Sequence, residues 1–233
     1  TTYFAIQEPH RALVVEIVHR IAIAQTPTLN PSQSPPWESV RDLLKTDRSA
    51  ASLEAFQFTF DSRCAFARPE FAAYAEQSFS PHRPIAEAAL ELTNRIHREF
   101  VYDATATTVS TPITEVFENR RGVCQDFAHF QTACLRSLGL AARYVSGYLS
   151  TLPPPGKARI VGADASHAWV SLYCGANGWL DLDPTNDQIP SDRHVLIAWG
   201  RDYEDVSPVK GVILGGGQHT VTVAVDVSPV EHV

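Results

Sequence analysis

The run Arg121-Gly122-Val123-Cys124-Gln125-Asp126-Phe127-Ala128-His129-Phe130 most constrains what this chain can become. A glycine and a cysteine stand where a loop turns into an amphipathic helix. Small or apolar residues recur at Phe127, Ala128, Cys134, Leu135 and Leu138, close to the i, i+3, i+4, i+7 spacing of a buried helix face. Gly139 follows, at the place where a helix C-terminus takes a residue of positive φ. Cys124 is therefore expected in the first turn. Unpaired backbone N–H groups and the helix dipole there favour a negative charge, and the thiolate is the nucleophilic form of cysteine. A lone cysteine at a helix start is more often a buried structural residue. Two later segments change that balance.

The first is Asp164-Ala165-Ser166-His167-Ala168-Trp169-Val170-Ser171-Leu172, and the second is Gly178-Trp179-Leu180-Asp181-Leu182-Asp183-Pro184-Thr185-Asn186. Both read as short strands with alternating apolar positions. The turn-rich Cys174-Gly175-Ala176-Asn177 joins them, so two adjacent antiparallel strands would bring His167 and Asp183 side by side. Acyl transfer by a thiol needs this set: a cysteine to attack a carbonyl, a histidine to take and return a proton, and a carboxylate to hold the histidine tautomer. Taken singly, His167 reads as an ordinary histidine and Asp183 as a turn residue before proline.

Together, GVCQDFAH, SHAWV and GWLDLDPTN resemble the transglutaminase-like superfamily of papain-like thiol enzymes, in its bacterial branch. The resemblance covers roughly residues 65 to 227. It implies an α+β fold of the papain-like or transglutaminase-core type, with N-terminal helices and a cysteine helix packed on an antiparallel sheet. Carried over residue by residue, it implies Cys124 as nucleophile, His167 as base and Asp183 as the residue that orients it. Asp181 lies on the same strand face by period two, and the family pattern, with Trp179 four residues ahead, favours Asp183. Trp199-Gly200-Arg201-Asp202-Tyr203-Glu204-Asp205-Val206 also resembles a segment of this branch. By the same likeness Tyr148, Asp202 and Tyr203 are candidate substrate contacts. The implied function is thiol-dependent acyl transfer on peptide or glutamine-type amides, as a cysteine protease or amidase, with a protein or peptide as partner. The alternatives are a protein-glutamine transglutaminase and a non-catalytic peptide-binding module. Animal transglutaminases use calcium, but no acidic loop of EF-hand type is visible here. The Cys and His spacings match no zinc pattern, so no metal or other cofactor is expected.

The surroundings of Cys124 carry further expectations. Gly122 would allow a close backbone approach just before it. Asp126 suits the helix dipole but opposes a neighbouring thiolate, so it is expected to point away. His129 lies about 140° around the helix from Cys124 and is set aside as the base. Cys134 is expected to be a core thiol too far along the helix for a disulfide.

Three parts are expected: residues 1–64 as the remnant of an N-terminal β domain plus linker, residues 65–206 as a transglutaminase-like core, and residues 207–233 as a C-terminal β segment. Leu13, Val15, Ile17, Ile21 and Ile23 alternate like a strand, and so do Val221, Val223, Val225 and Val227; the two are expected to pair. Between them the spacing predicts helices over Trp37–Leu44, Pro69–Phe79, Pro84–Phe100 and Thr111–Glu118, and strands over Ala142–Leu149 and His194–Trp199. Residues 48–68 give mixed signals. Thr151–Lys157, rich in proline, is expected as a loop on the rim of the cleft. With a net charge of −7 the chain has no pull toward nucleic acid or an anionic membrane, and no apolar run reaches the ~20 residues of a membrane span. Four cysteines without a CxxC pair favour a reducing, cytoplasmic setting.

Overall fold

The computed structural model describes residues 2–23, 29–150, 165–215, 220–228 and 230. Its helices are α1 (Trp37–Thr46), α2 (Ala50–Phe56), α3 (Pro69–Glu76), α4 (Ile85–Glu99), α5 (Ile113–Asn119), α6 (Cys124–Ser137) and the short α7 (Tyr203–Val206). Its strands are β1 (Val101–Tyr102), β2 (Arg121–Gly122), β3 (Ala142–Leu149), β4 (Ala165–Tyr173), β5 (Trp179–Leu182) and β6 (His194–Gly200). The four longer strands form one antiparallel sheet in the order β5-β4-β3-β6, and β1 and β2 pair in parallel beside it. This is the α+β arrangement expected, with the cysteine helix on an antiparallel sheet.

Helix α6 is the centre of the molecule. Every residue from Asp126 to Arg136 is buried. A single apolar stripe, as the spacing suggests, would leave one face wet. Here α3, α4 and α5 cover the sides that the sheet does not. Burial on all sides obliges the polar residues of α6 to find partners. The Gln131 amide donates to Thr93 Oγ1 at 2.8 Å, and His129 Nε2 accepts the Tyr203 N–H at 3.1 Å. The helix ends in a Schellman motif: Gly139, at φ 77°, donates its N–H to the Arg136 carbonyl, and Leu140 to that of Leu135.

The other helices are built on the predicted stripes. Ile85, Ala88, Ala89, Leu92 and Ile96 on α4 are all buried, with His97 and Arg98 in the last turn where cations suit the dipole. A cluster of edge-on and stacked rings, with Phe71, Tyr74, Phe100, Phe117 and Phe130, locks α3, α4, α5 and α6 together. The ambiguous stretch 48–68 holds α2 and a 3-10 turn, and Trp37, Val40, Leu44, Ala55 and Phe58 bury into the same core as the later elements.

One expectation fails here. Among the described residues, 13–23 carries no strand and 221–227 is assigned a bridge at Val225 and no longer strand. Period-two alternation makes a strand only where a neighbour supplies backbone hydrogen bonds. The sheet edges are β5 and β6, and neither takes these segments. Their apolar side chains, including Val14, Val18, Val221 and Val223, remain exposed. The loop predicted over Thr151–Lys157 lies outside the described residues.

Candidate active site

The hairpin β4–β5 pairs Val170 with Leu182 and Ser171 with Asp181. Carrying that register one step on places Asp183 opposite Trp169 and diagonal to His167, within side-chain reach. His167 Nε2–H donates to Asp183 Oδ2 at 2.7 Å, and both residues are buried, Asp183 completely. Asp181 goes elsewhere: its Oδ2 accepts the Trp169 indole N–H at 3.1 Å. The period-two ambiguity between the two aspartates is resolved by which donor reaches each.

The turn after β5 fixes the carboxylate. Asp183 Oδ1 accepts the N–H groups of Thr185 and Asn186 at 3.0 and 3.2 Å, an Asx-type turn, and the Asn186 amide donates to Oδ2 at 2.8 Å. Asp183 and Gln188 close the loop as an isolated antiparallel bridge. The α4 helix anchors its outside, through Asn94 to Asp187 at 2.7 Å and His97 to the Thr185 carbonyl at 2.9 Å.

Cys124 is the first residue of α6 and half-buried. It lies close enough to His167 for the two groups to act on each other's protons. With Nε2 given to Asp183, Nδ1 is the ring nitrogen left for the thiol. Burial disfavours a charged His167, but the hydrogen bonds to Asp183 and Cys124 and their charges outweigh it and push its pKa up to about 9. Asp183 moves oppositely: burial raises it, and the donors His167, His194 and Asn186 overcome that, holding it well below the usual carboxylate range. The first helical hydrogen bonds of α6 run from Asp126 and Phe127 to the Val123 carbonyl. The N–H groups of Cys124 and Gln125 precede them, in the first turn that has no intrahelical acceptor.

Asp126 is engaged at the helix start. It turns back, buried, and its Oδ2 accepts the Val123 N–H at 2.8 Å and the Thr107 hydroxyl at 2.6 Å. This is one half of a capping box; Val123 has no side-chain oxygen to supply the other. Burial raises the Asp126 pKa, while the two donors work against it. The cap explains Gly122, because a Cβ there would lie 2.6 Å from Asp126 Oδ2. Tyr102, paired with Gly122 across β1–β2, stands beside the thiol: burial and then the Cys124 charge raise its phenol pKa. Arg121 pairs with Asp103 at 3.3 Å. Arg120, in the left-handed region at φ 53°, lays its guanidinium over Tyr74, Phe100 and Phe117.

The remaining candidates are Asp202, Tyr203 and Tyr148. Asp202 is buried, accepting the Cys64 N–H at 3.0 Å and capping α7 through the Glu204 N–H at 2.9 Å. Tyr203 gives its N–H to His129, whose ring stacks on Tyr144 at 4.6 Å. Burial takes the His129 pKa down to about 4. Tyr148 is half-buried on β3, paired with Ser166 and Val195. Cys64, Cys134 and Cys174 are free thiols.

One residue of the site has no sequence signal. His194, at the start of β6, donates its Nε2–H to Asp183 Oδ2 at 3.0 Å. The donor atoms of His167, Asp183 and His194 all lie within 4.8 Å of one another, a spacing a metal ion also favours. The donor chemistry argues otherwise. The Ser191 N–H donates to His194 Nδ1 at 3.2 Å, so Nδ1 carries the lone pair and Nε2 the proton. A metal would have to displace that proton from an occupied hydrogen bond.

Comparison with known proteins follows this geometry. The family model of the transglutaminase-like superfamily matches residues 72–184, a span that contains Cys124, His167 and Asp183. An uncharacterized protein of Mycobacterium tuberculosis strain H37Rv is 42% identical over 240 residues, covering 99% of this chain and 74% of the relative. The chain belongs to the transglutaminase-like superfamily. A second relative, the protein-glutamine gamma-glutamyltransferase of Pseudomonas aeruginosa, is 32% identical over 131 residues, 52% of this chain and 19% of that protein. Among solved structures, one described as a putative cysteine protease from Cytophaga hutchinsonii superposes with a TM-score of 0.58 at 29% identity. That match covers 70% of this chain and 51% of the solved one, so the present chain spans about half of it.

Proposed function

We propose that this transglutaminase-like chain is a thiol-dependent acyl-transfer enzyme that cleaves peptide or glutamine-type amides by a Cys124–His167–Asp183 triad. The observation that carries the reading is the convergence of Cys124 at the start of α6 with the buried His167–Asp183 pair. In this mechanism Cys124 Sγ attacks the amide carbonyl carbon. The oxygen gains negative charge and is met by the N–H groups of Cys124 and Gln125. His167 holds the thiol proton and gives it to the leaving amine as the C–N bond breaks, leaving a thioester. A second nucleophile then adds, His167 taking its proton, and the thiol departs. Asp183 holds the imidazole in the tautomer and orientation both steps need.

With water as second nucleophile the enzyme is a protease or amidase; with an amine it is a transglutaminase. A transamidase must exclude water and seat an amine, an added requirement, so hydrolysis is the reading favoured. The likeness to the solved cysteine protease candidate supports it. The likeness to the Pseudomonas gamma-glutamyltransferase supports transamidation as the second reading.

The test needs no substrate. Alkylate the native protein with iodoacetamide between about pH 5 and pH 9 and follow each cysteine by peptide mass. Cys64 serves as the internal comparison: burial, then Asp202 and Glu204, push its pKa up to about 11. Cys124 is expected to label at least about tenfold faster than Cys64 below neutral pH, and His167→Ala to abolish the difference. Equal labelling, or a His167→Ala profile like the parent, sinks the proposal. Glutamine-containing peptides, with and without a primary amine, then separate ammonia release from amine incorporation.

A further inference from the structure

Around the carboxylate of Asp183 the structure collects side chains from three places: His167 on β4, His194 on β6, and Asn186 on the loop itself. Cys124 of α6 lies near His167. Three donors share the single oxygen Oδ2, while Oδ1 takes only backbone N–H groups. His194 differs from the other two. Its own orientation is fixed from outside, because the Ser191 N–H holds Nδ1 and the ring packs edge-on against Trp169 at 5.4 Å and beside His167 at 5.7 Å. The Gln188 amide stands at 3.5 Å from Nε2. His194 is 5% exposed, so water does not substitute for its hydrogen bond.

We propose that His194 is a positioning residue of the site, donating Nε2–H to the oxygen that Asp183 presents to His167 and so keeping that carboxylate turned toward the imidazole. This rests on the acyl-transfer reading for its purpose, but its physical content stands without it. The Thr185 and Asn186 donors hold Asp183 within its own loop. His194 belongs to β6, bonded into the sheet through β3, so it ties the carboxylate to the framework that also carries His167. The donor also favours the ionised carboxylate.

The test compares His194→Phe, which keeps a flat ring and loses the donor, with His194→Gln, whose Nε2–H reaches the same place. The primary readout is the Asp183 carboxyl 13C signal titrated with acid. With one donor fewer, the carboxylate takes its proton at higher pH: the midpoint is expected to rise by about one pH unit in the Phe variant and to return close to the parent in the Gln variant. The second readout is the Cys124 alkylation rate near pH 6, expected to fall about tenfold with Phe and to recover with Gln. A residue that only fills space would lower thermal stability and leave both unchanged. In the unmutated protein, long-range 1H–15N spectra should show His194 as the Nε2–H tautomer. A His194 Nδ1–H tautomer, an unmoved Asp183 midpoint in a folded Phe variant, or a Gln variant that behaves like Phe overturns the proposal. So does one tightly held zinc ion per chain that His194→Gln releases. If Cys124 labels slowly while the Asp183 midpoint moves as expected, the acyl-transfer reading falls and the positioning role stands.

Discussion

At the scale of single residues, His167 and Asp183 are a buried pair whose proton affinities are driven apart, and this has a consequence for stability. His167 is held at about 9 in the folded chain, against an ordinary 6.5. The folded state therefore binds that proton more tightly than the unfolded one. Its contribution is fully present below about pH 6.5 and is lost as pH rises through 9. Asp183 has the opposite sign: its contribution is present above the ordinary 3.8 and is lost as pH falls. Urea unfolding should show a loss on the order of 2 kcal/mol between about pH 6 and pH 9.5. His167→Ala should flatten that slope; a slope as steep as the parent's would assign it to other groups.

At the scale of elements, the site depends on where three strands leave room. Gly147 on β3 lies opposite His167 on β4 and beside Leu196 on β6, at a register shift between Ser146 and Gly147. A Cβ at Gly147 would lie 2.2 Å from the Val195 carbonyl oxygen and 2.6 Å from the Trp169 ring. Neither neighbour has space to yield, one being backbone and the other buried. Gly147→Ala should destabilise the fold by about 2–3 kcal/mol and slow Cys124 alkylation, because the strain lands on the strands carrying His167 and His194. Chemical denaturation and the alkylation rate measure the two effects separately. Helix α6 shows the same economy of space at its other end, where Gly122 admits the Asp126 cap.

At the scale of the whole molecule, α6 is joined to the rest through Arg136. This buried guanidinium donates to the carbonyls of Phe58, Ala65, Ala142 and Arg201 and to the Ser62 hydroxyl. It gathers the segment after α2, the start of β3 and the end of β6 onto one helix. Burial lowers its pKa to about 10, with Asp202 the leading charge opposing that. Arg136→Leu leaves several buried acceptors without donors and should cost about 3–4 kcal/mol. Arg136→Lys, with a compact ammonium in place of the planar fork, should fall between the two. The urea midpoint decides; a Leu variant within about 0.5 kcal/mol of the parent would mean the acceptors are rehydrated.

The sequence by itself determined the longer helices and strands between residues 37 and 200, and put forward Cys124, His167 and Asp183 as candidates. Cys124 follows a glycine at a helix start, and His167 and Asp183 sit on strands joined by a short turn. Each of these rests on local signals: periodicity, turn chemistry, and the type of residue at a boundary. Local signals also misled at 13–23, since alternation describes a face and not what covers it. What only the tertiary structure decided is which groups meet. It separated Asp183 from Asp181 by giving one the imidazole of His167 and the other the indole N–H of Trp169. It turned Asp126 inward as a cap, and it brought His194 from β6 onto the Asp183 carboxylate. Those contacts depend on strand order and on the path of the 183–193 loop, which join residues no local pattern links. Hydrogen bonds of that kind are fixed by distance in space, and sequence spacing carries no record of it.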